Sequence, residues 1–298
     1  MNIVAFLTAG VLMCAFAEVS FAQLKNEPKM YKVGKAVVWA IADSTGERDT
    51  STFSSFADEK TLKEYMPTGK VPTAIMCFLI KTGNEIILID TGMGSPSGDR
   101  ASRLMPALSK IGIKPEQINL ILITHMHIDH IGGLIWNDKP AFPNAKIKIG
   151  RIERDFWIDD KSIEKFPARK AGFDLAKRVV NMYGNAVGVF EFGDTVAPGI
   201  TAMDARGHTP GQTAFMLESD GQKLLFIGDL LHAAALQFPR PDISGNYDMN
   251  PKESVESREK FLAMAANDKL TIAGAHLPFP AVGKVEKNGK GGYKFNPE

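Results

Sequence analysis

Residues 118–133, INLILITHMHIDHIGG, constrain this chain more than any other stretch. A short apolar run reads as a buried strand and delivers the chain into a loop that holds His125, His127, Asp129 and His130 within six positions. In an extended segment, residues two apart point the same way, so His125 and His127 can share one metal. Asp129 and His130 follow after a turn and can face a second. Gly132 and Gly133 lack the Cβ atoms that would obstruct a backbone running beside so crowded a site. A zinc ion takes imidazole and carboxylate ligands in a roughly tetrahedral shell, with one position left open when the site is catalytic. One loop cannot complete two such shells, so further ligands must come from other strand ends. Three candidates each follow an apolar run: His208 in RGHTPGQT, Asp229 in FIGDLL and His276 in AGAHLPFP. Either histidine alone would be unremarkable; the combination carries the inference.

The rest of the chain supplies a scaffold for such a site. The segment before residue 75 reads as a polar opening. IMCFLI (75–80) and EIILID (85–90), separated by KTGN, form a hairpin, and ASRLMPALSKIG a helix that stops at Gly112. AKIKIG alternates as a strand, RIERDFW begins a helix, and residues 152–186 are mostly helical. Strands return with GVFEF, ITAMDA, TAFMLES and KLLFIGD, and SDGQ makes a tight turn between the last two. PKESVESREKFLAMAAND is a helix with Pro251 at its start, and KLTIAGAH a final strand. This order predicts an α/β fold of two sheets with helices outside them.

The first 22 residues are an apolar run ending in small residues at Ser20 and Ala22, the pattern of a secretory signal peptide. Residues 23–298 then form one mature domain, exported to the periplasm or the medium. Loss of Glu18 takes the net charge from +1 to +2, a balance that implies neither a nucleic-acid partner nor, once the signal is cleaved, a membrane. Cys77 alone remains of the two cysteines, so no intramolecular disulfide forms and the core or metal must hold the domain.

With these motifs in place the sequence resembles the metallo-β-lactamase superfamily. IDTG (89–92), THMHIDHIGG, GHTPG (207–211), GD (228–229) and AGAH (273–276) occur in that family's order. The resemblance implies a single-domain αββα sandwich with two divalent ions at one edge, zinc by default, with manganese, iron or cobalt able to occupy the same ligands. It assigns His125, His127 and His208 to one ion, Asp129, His130 and His276 to the other, and Asp229 to a position between them. Asp90 is expected to orient ligands by hydrogen bonding. A homodimer is a further family expectation.

Within the family, ERDFW (153–157), GDLLHAAALQF (228–238), ESREKF and AHLPFPAVGKV with the glycine-rich GKGGYKF tail look like the exported methyl parathion hydrolase and lactonase branch. The resemblance thus implies a hydrolase that uses a metal-bridging hydroxide on a small-molecule lactone, aryl ester or organophosphate triester. A β-lactamase is disfavoured because those enzymes usually place cysteine or serine where Asp229 stands. An iron-dependent persulfide dioxygenase is the other alternative. Asp129 and His232 are the candidate catalytic residues, with His232 expected to donate a hydrogen bond to substrate or oxyanion. Trp157 and Phe173 are expected beside His232 as an aromatic pocket entrance. Gln212 departs from the many relatives that have a second histidine there.

Overall fold

The computed structural model describes residues 27–94 and 102–298. The segment read as a signal peptide lies outside the described residues. Two seven-stranded sheets face each other. In the first, the spatial order follows the chain: β1 (Lys29–Val33), β2 (Ala36–Asp49), β3 (Lys70–Thr82), β4 (Glu85–Ile89), β5 (Leu120–Ile123), β8 (Lys146–Gly150) and β9 (Val187–Phe190). A two-residue pair, β6 (Ile135–Trp136) and β7 (Lys139–Pro140), stands apart. The second sheet runs β10 (Thr195–Ala197), β11 (Ile200–Asp204), β12 (Thr213–Ser219), β13 (Gln222–Phe226), β14 (Thr271–Ala273), β15 (Val282–Lys287) and β16 (Tyr293–Pro297).

Strand periodicity sorts side chains into two cores. Ile87, Ile89, Leu120 and Leu122 face the second sheet, where they meet Ile200, Ala202, Leu224, Phe226 and Ile272. The intervening Leu88, Ile121 and Ile123 point outward, onto Leu104 and Leu108 of the helix Leu104–Lys110 and Val179 of the helix Lys170–Tyr183. β5 is apolar at every position because both its faces are covered. The helix Pro251–Asn267 adds Phe261, Leu262 and Ala265 to the inter-sheet core, and Asn250 caps it by accepting from Glu253 N. Together these elements make the αββα sandwich.

The opening segment is not the polar stretch its sequence suggests. β2 pairs with β3 from Val37↔Lys81 to Asp49↔Lys70, with one irregularity between Ala42 and Ser44. Its first half is buried. Its second half, STGERD, is mostly exposed while still paired to β3, so no single hydropathy pattern spans the strand. The glycine-rich C-terminal tail likewise folds back, with β16 pairing to β15. The KTGN and SDGQ turns form as expected, the latter with Asp220 and Gly221 at φ 47 and 75.

The topology also fixes where loops converge. β4, β5 and β8 are mutually parallel, as are β13 and β14, so the chain leaves all five in loops at the same edge of the sandwich. Backbone hydrogen bonds from Thr213 to Thr124 (2.9 Å) and from Met76 to Ala275 (3.0 Å) join the two sheets there.

Candidate metal centre

That edge gathers all seven side chains picked from sequence. His125, His127, Asp129 and His130 follow β5, His208 lies between β11 and β12, Asp229 follows β13, and His276 follows β14. In one group, His127 Nδ1 lies 3.0 Å from His125 Nε2 and 2.9 Å from His208 Nε2, and His208 Nε2 lies 3.3 Å from Asp229 Oδ2. In the other, His276 Nε2 is 3.3 Å from Asp129 Oδ2, and His130 Nε2 is 3.8 Å from Asp129 Oδ1. Asp229 faces both: the Oδ2 that meets His208 in the first group lies 3.0 Å from His276 Nε2 in the second, and its Oδ1 is 3.2 Å from His130 Nε2.

These contacts fit metal coordination better than hydrogen bonding. A neutral imidazole nitrogen either donates or accepts once, so His127 Nδ1 cannot serve two histidines at about 3 Å by sharing protons. Four donors about 2.1 Å from a zinc ion stand about 3.4 Å apart, close to the spacings seen here. His130 Nε2 and Asp229 Oδ1 are buried with no hydrogen-bond partner. The donors are therefore those of a divalent-metal site, with His125, His127, His208 and Asp229 in one set and Asp129, His130 and His276 in the other.

Charge within the cluster points the same way. Burial, reinforced by neighbouring imidazoles, holds His125 and His127 well below the ordinary imidazole value, in the neutral form that ligates. Burial opposes charge on His130 and His276 too, but the surrounding carboxylates outweigh it, Asp229 first among them. His276 is pushed up to about 9. Asp229 lies well below the carboxylate range despite its burial, because His130 and His276 stand against it. Bound cations would take over the balancing of this negative charge.

Polar groups behind the ligands fix the rings. Asp90 accepts from Thr124 N (2.8 Å) and Thr124 Oγ1 (2.7 Å) and lies 2.8 Å from His130 Nδ1. Thr124 Oγ1 in turn lies 3.1 Å from His125 Nδ1. His276 Nδ1 donates to Ala74 O at 2.7 Å. Gly132 and Gly133 pass against the residues after Asp90: a Cβ on Gly133 would sit 1.9 Å from Thr91 O.

Sequence reasoning missed several residues here. Asp248, 40 positions beyond His208, holds its Nδ1 at 2.9 Å and accepts from Ser244 Oγ at 2.6 Å. Fully buried Arg258 lies 3.5 Å from Asp248 and donates to the carbonyls of Leu230, Pro241 and Ile243, bracing the loop that carries Asp229. Neither has a local signal; each acts across a loop that only the fold closes. Glu153, in the quoted ERDFW, is fully buried beneath the histidine loops.

A cavity of about 360 Å³ opens over the donors, and beyond the ligands its walls include Arg48, Trp157, Arg169, His232 and Tyr247. Trp157 is 1% exposed, a wall of this cavity and not an entrance. Phe173 does not reach the lining: it is buried behind Trp157 with ring centroids 4.7 Å apart, because its helix face packs into the outer core. His232 is buried between Tyr247, at 3.8 Å, and His276, at 4.8 Å, both stacked on it. Its Nε2 donates to Asp229 Oδ2 at 3.1 Å, its buried Nδ1 has no hydrogen-bond partner among the described residues, and burial lowers its pKa to about 3, so the neutral ring keeps no N–H for the donation to substrate or oxyanion expected from sequence. The Tyr247 hydroxyl is also without a hydrogen-bond partner among the described residues. Arg169 Nη1 is 3.0 Å from His127 Nε2, and Arg48 is 3.8 Å from Asp129. Gln212 is fully buried and donates to Ala205 O at 3.2 Å.

The family model of the metallo-beta-lactamase superfamily matches residues 71–276, which contain every donor above. An N-acyl homoserine lactonase of Bacillus cereus is 25% identical over 180 residues, 54% of this chain and 65% of the lactonase, so just under two thirds of that relative is spanned. The dizinc quorum-quenching lactonase AidC, solved with the product N-hexanoyl-L-homoserine, is similar at a TM-score of 0.83 and 29% identity, over 92% of this chain and 98% of AidC. The hydrolase AbOPH in the beta lactamase superfamily gives 0.85 and 31% identity, over 92% and 98%. With this fold and this donor set, the chain belongs to the metallo-beta-lactamase superfamily.

Proposed function

We propose that the protein is a dinuclear metal-dependent hydrolase of small lactones, with N-acyl homoserine lactones as the leading substrate class and aryl esters or organophosphate triesters as further substrates. The observation that carries this is Asp229, whose carboxylate reaches both donor sets, Oδ2 against His208 and His276 and Oδ1 against His130. When bound, two divalent cations, zinc by preference, supply a hydroxide near neutral pH and polarise the bond under attack. The likeness to a dizinc lactonase and to a Bacillus cereus lactonase supports the substrate class.

The chain's own residues do the rest. Trp157 and Tyr247 wall a cavity near the small end of the range for ligand pockets, which limits the space for water beside a bound substrate. Arg48 and Arg169 place cationic donors at the rim, suited to carbonyl or phosphoryl oxygens. Neutral His232 donates its one N–H to Asp229 and so orients the carboxylate shared by the two donor sets. Export to the periplasm or medium through residues 1–22 belongs to the same proposal, and N-terminal sequencing of the protein from the periplasmic fraction tests it.

The activity test is hydrolysis by zinc-loaded protein of one panel: homoserine lactones, aryl esters, phosphotriesters and a chromogenic β-lactam. Lactone turnover abolished by chelation and by Asp229→Ala is the expected result. A zinc-loaded protein silent on every lactone and ester overturns the proposal.

A further inference from the structure

Hydropathy alone would bury Ile152 and expose Glu153, yet the helix Arg151–Ile158 does the reverse: Ile152 is 40% exposed and Glu153 fully buried. A carboxylate out of water needs its lone pairs filled, and four donors fill these. Oε1 accepts from Met126 N at 2.8 Å and Trp157 Nε1 at 2.7 Å. Oε2 accepts from Thr209 Oγ1 at 2.8 Å and Gly211 N at 2.9 Å.

The donors are placed to a pattern. Met126 stands between His125 and His127, and Thr209 adjoins His208. One carboxylate therefore ties together the two loops that carry three imidazoles of one donor set, and holds a wall of the cavity through Trp157. The approach is close: a Cβ on Gly211 would lie 2.3 Å from Glu153 N. The other donor set is anchored elsewhere, His130 by Asp90 and His276 by Ala74 O.

We propose that Glu153 is a positioning residue that sets the spacing between His208 and the His125–His127 pair, and so governs the metal affinity of that set and not of the other. The inference rests on the two-metal reading above. In Glu153→Gln the amide oxygen can satisfy one pair of donors, but its NH2 group faces the other. The Thr209 hydroxyl can rotate to accept; the N–H groups of Met126 and Gly211 cannot. At least one link between the loops is lost.

The test crosses this change with two full-length parents that each keep one donor set. His276→Ala retains the three-histidine set, and His208→Ala retains Asp129, His130 and His276. Zinc affinity is read by competition with a chromophoric chelator. Glu153→Gln is expected to weaken zinc by about tenfold to a hundredfold in the His276→Ala parent, the usual effect of losing a group behind the ligands. It should leave affinity in the His208→Ala parent within about twofold. Thr209→Val, which removes one donor and keeps three, should produce a smaller loss in the same parent, and decides the matter if Glu153→Gln does not fold. Equal losses in both parents, or none in either, would mean that Glu153 is only a core residue. Wild-type protein that binds no zinc overturns the metal reading itself and this proposal with it.

Discussion

Asp90 offers the sharpest quantitative check on the site. It sits at φ 56, a left-handed conformation that aspartate and asparagine tolerate and most residues do not. Asp90→Asn keeps the backbone while removing the charge and one acceptor. If the amide oxygen takes the Oδ2 position, it still meets Thr124 Oγ1 and His130, and the NH2 group then faces Thr124 N, now 2.8 Å from Oδ1. A buried donor left without an acceptor costs about 1–3 kcal/mol. For a chain of this size, that lowers the melting temperature by on the order of 2–12 °C. Asp90→Ala strands all three donors and adds about 1 kcal/mol of left-handed strain, for a total on the order of 4–10 kcal/mol. Asp90→Ala also frees the His130 ring, so metal affinity should fall about tenfold to a hundredfold, whereas Asp90→Asn keeps that bond without its charge and should lose less. Calorimetry of the metal-free variants reads the first effect and chelator competition the second. The reasoning is refuted if Asp90→Asn melts within about a degree of wild type, or if Asp90→Ala binds zinc within about twofold of it.

Gly133→Ala should destabilise by about 2 kcal/mol or more, since its Cβ would lie 1.9 Å from Thr91 O; an unchanged thermal melt would show that the loop yields freely. His232→Ala should lower turnover about tenfold to a hundredfold, the usual cost of losing a group that orients a ligand, here the Nε2–H bond to Asp229. Unaltered kinetics on every substrate would make His232 a passive wall. Chelation should lower the melting temperature as well as abolish turnover, because bound metal stabilises only the folded chain; an unshifted melt after complete removal would contradict that. In metal-free protein, burial works against charge on His276 but Asp229 and Asp129 outweigh it and raise its pKa to about 9. Its contribution is therefore fully present below the ordinary value of 6.5 and fades as pH rises through about 9. The urea-unfolding gap between wild type and His276→Ala should shrink from pH 6 to pH 10, and a constant gap would contradict the assignment.

What could be read from the sequence follows from how each interaction is encoded. The metal donors were legible because an ion collects side chains at strand ends, and strands end where apolar runs stop. INLILI before His125 and KLLFIGD around Asp229 each mark such an end. β5 read clearly because both its faces are buried, whereas the exposed half of β2 mixes polar residues into a strand whose pairing is set by β3. Asp248 and Arg258 left no trace, because their partners lie in other loops and segments and their own neighbourhoods are ordinary. Glu153 is the instructive intermediate case. An acid four residues before a tryptophan in a helix puts both on one face, and a carboxylate beside a large aromatic on a face that must be buried needs donors from somewhere. That much was available in RIERDFW. What the sequence could not say is which backbone would supply the donors, and here they come from the two loops that hold the histidines. The donors of such a centre are written locally, as is Asp90 at the end of its own strand, and the groups that aim them from across the fold, Glu153, Asp248 and Arg258, are not. Variants of the aiming groups therefore test the folded geometry of the site in a way that variants of the ligands cannot.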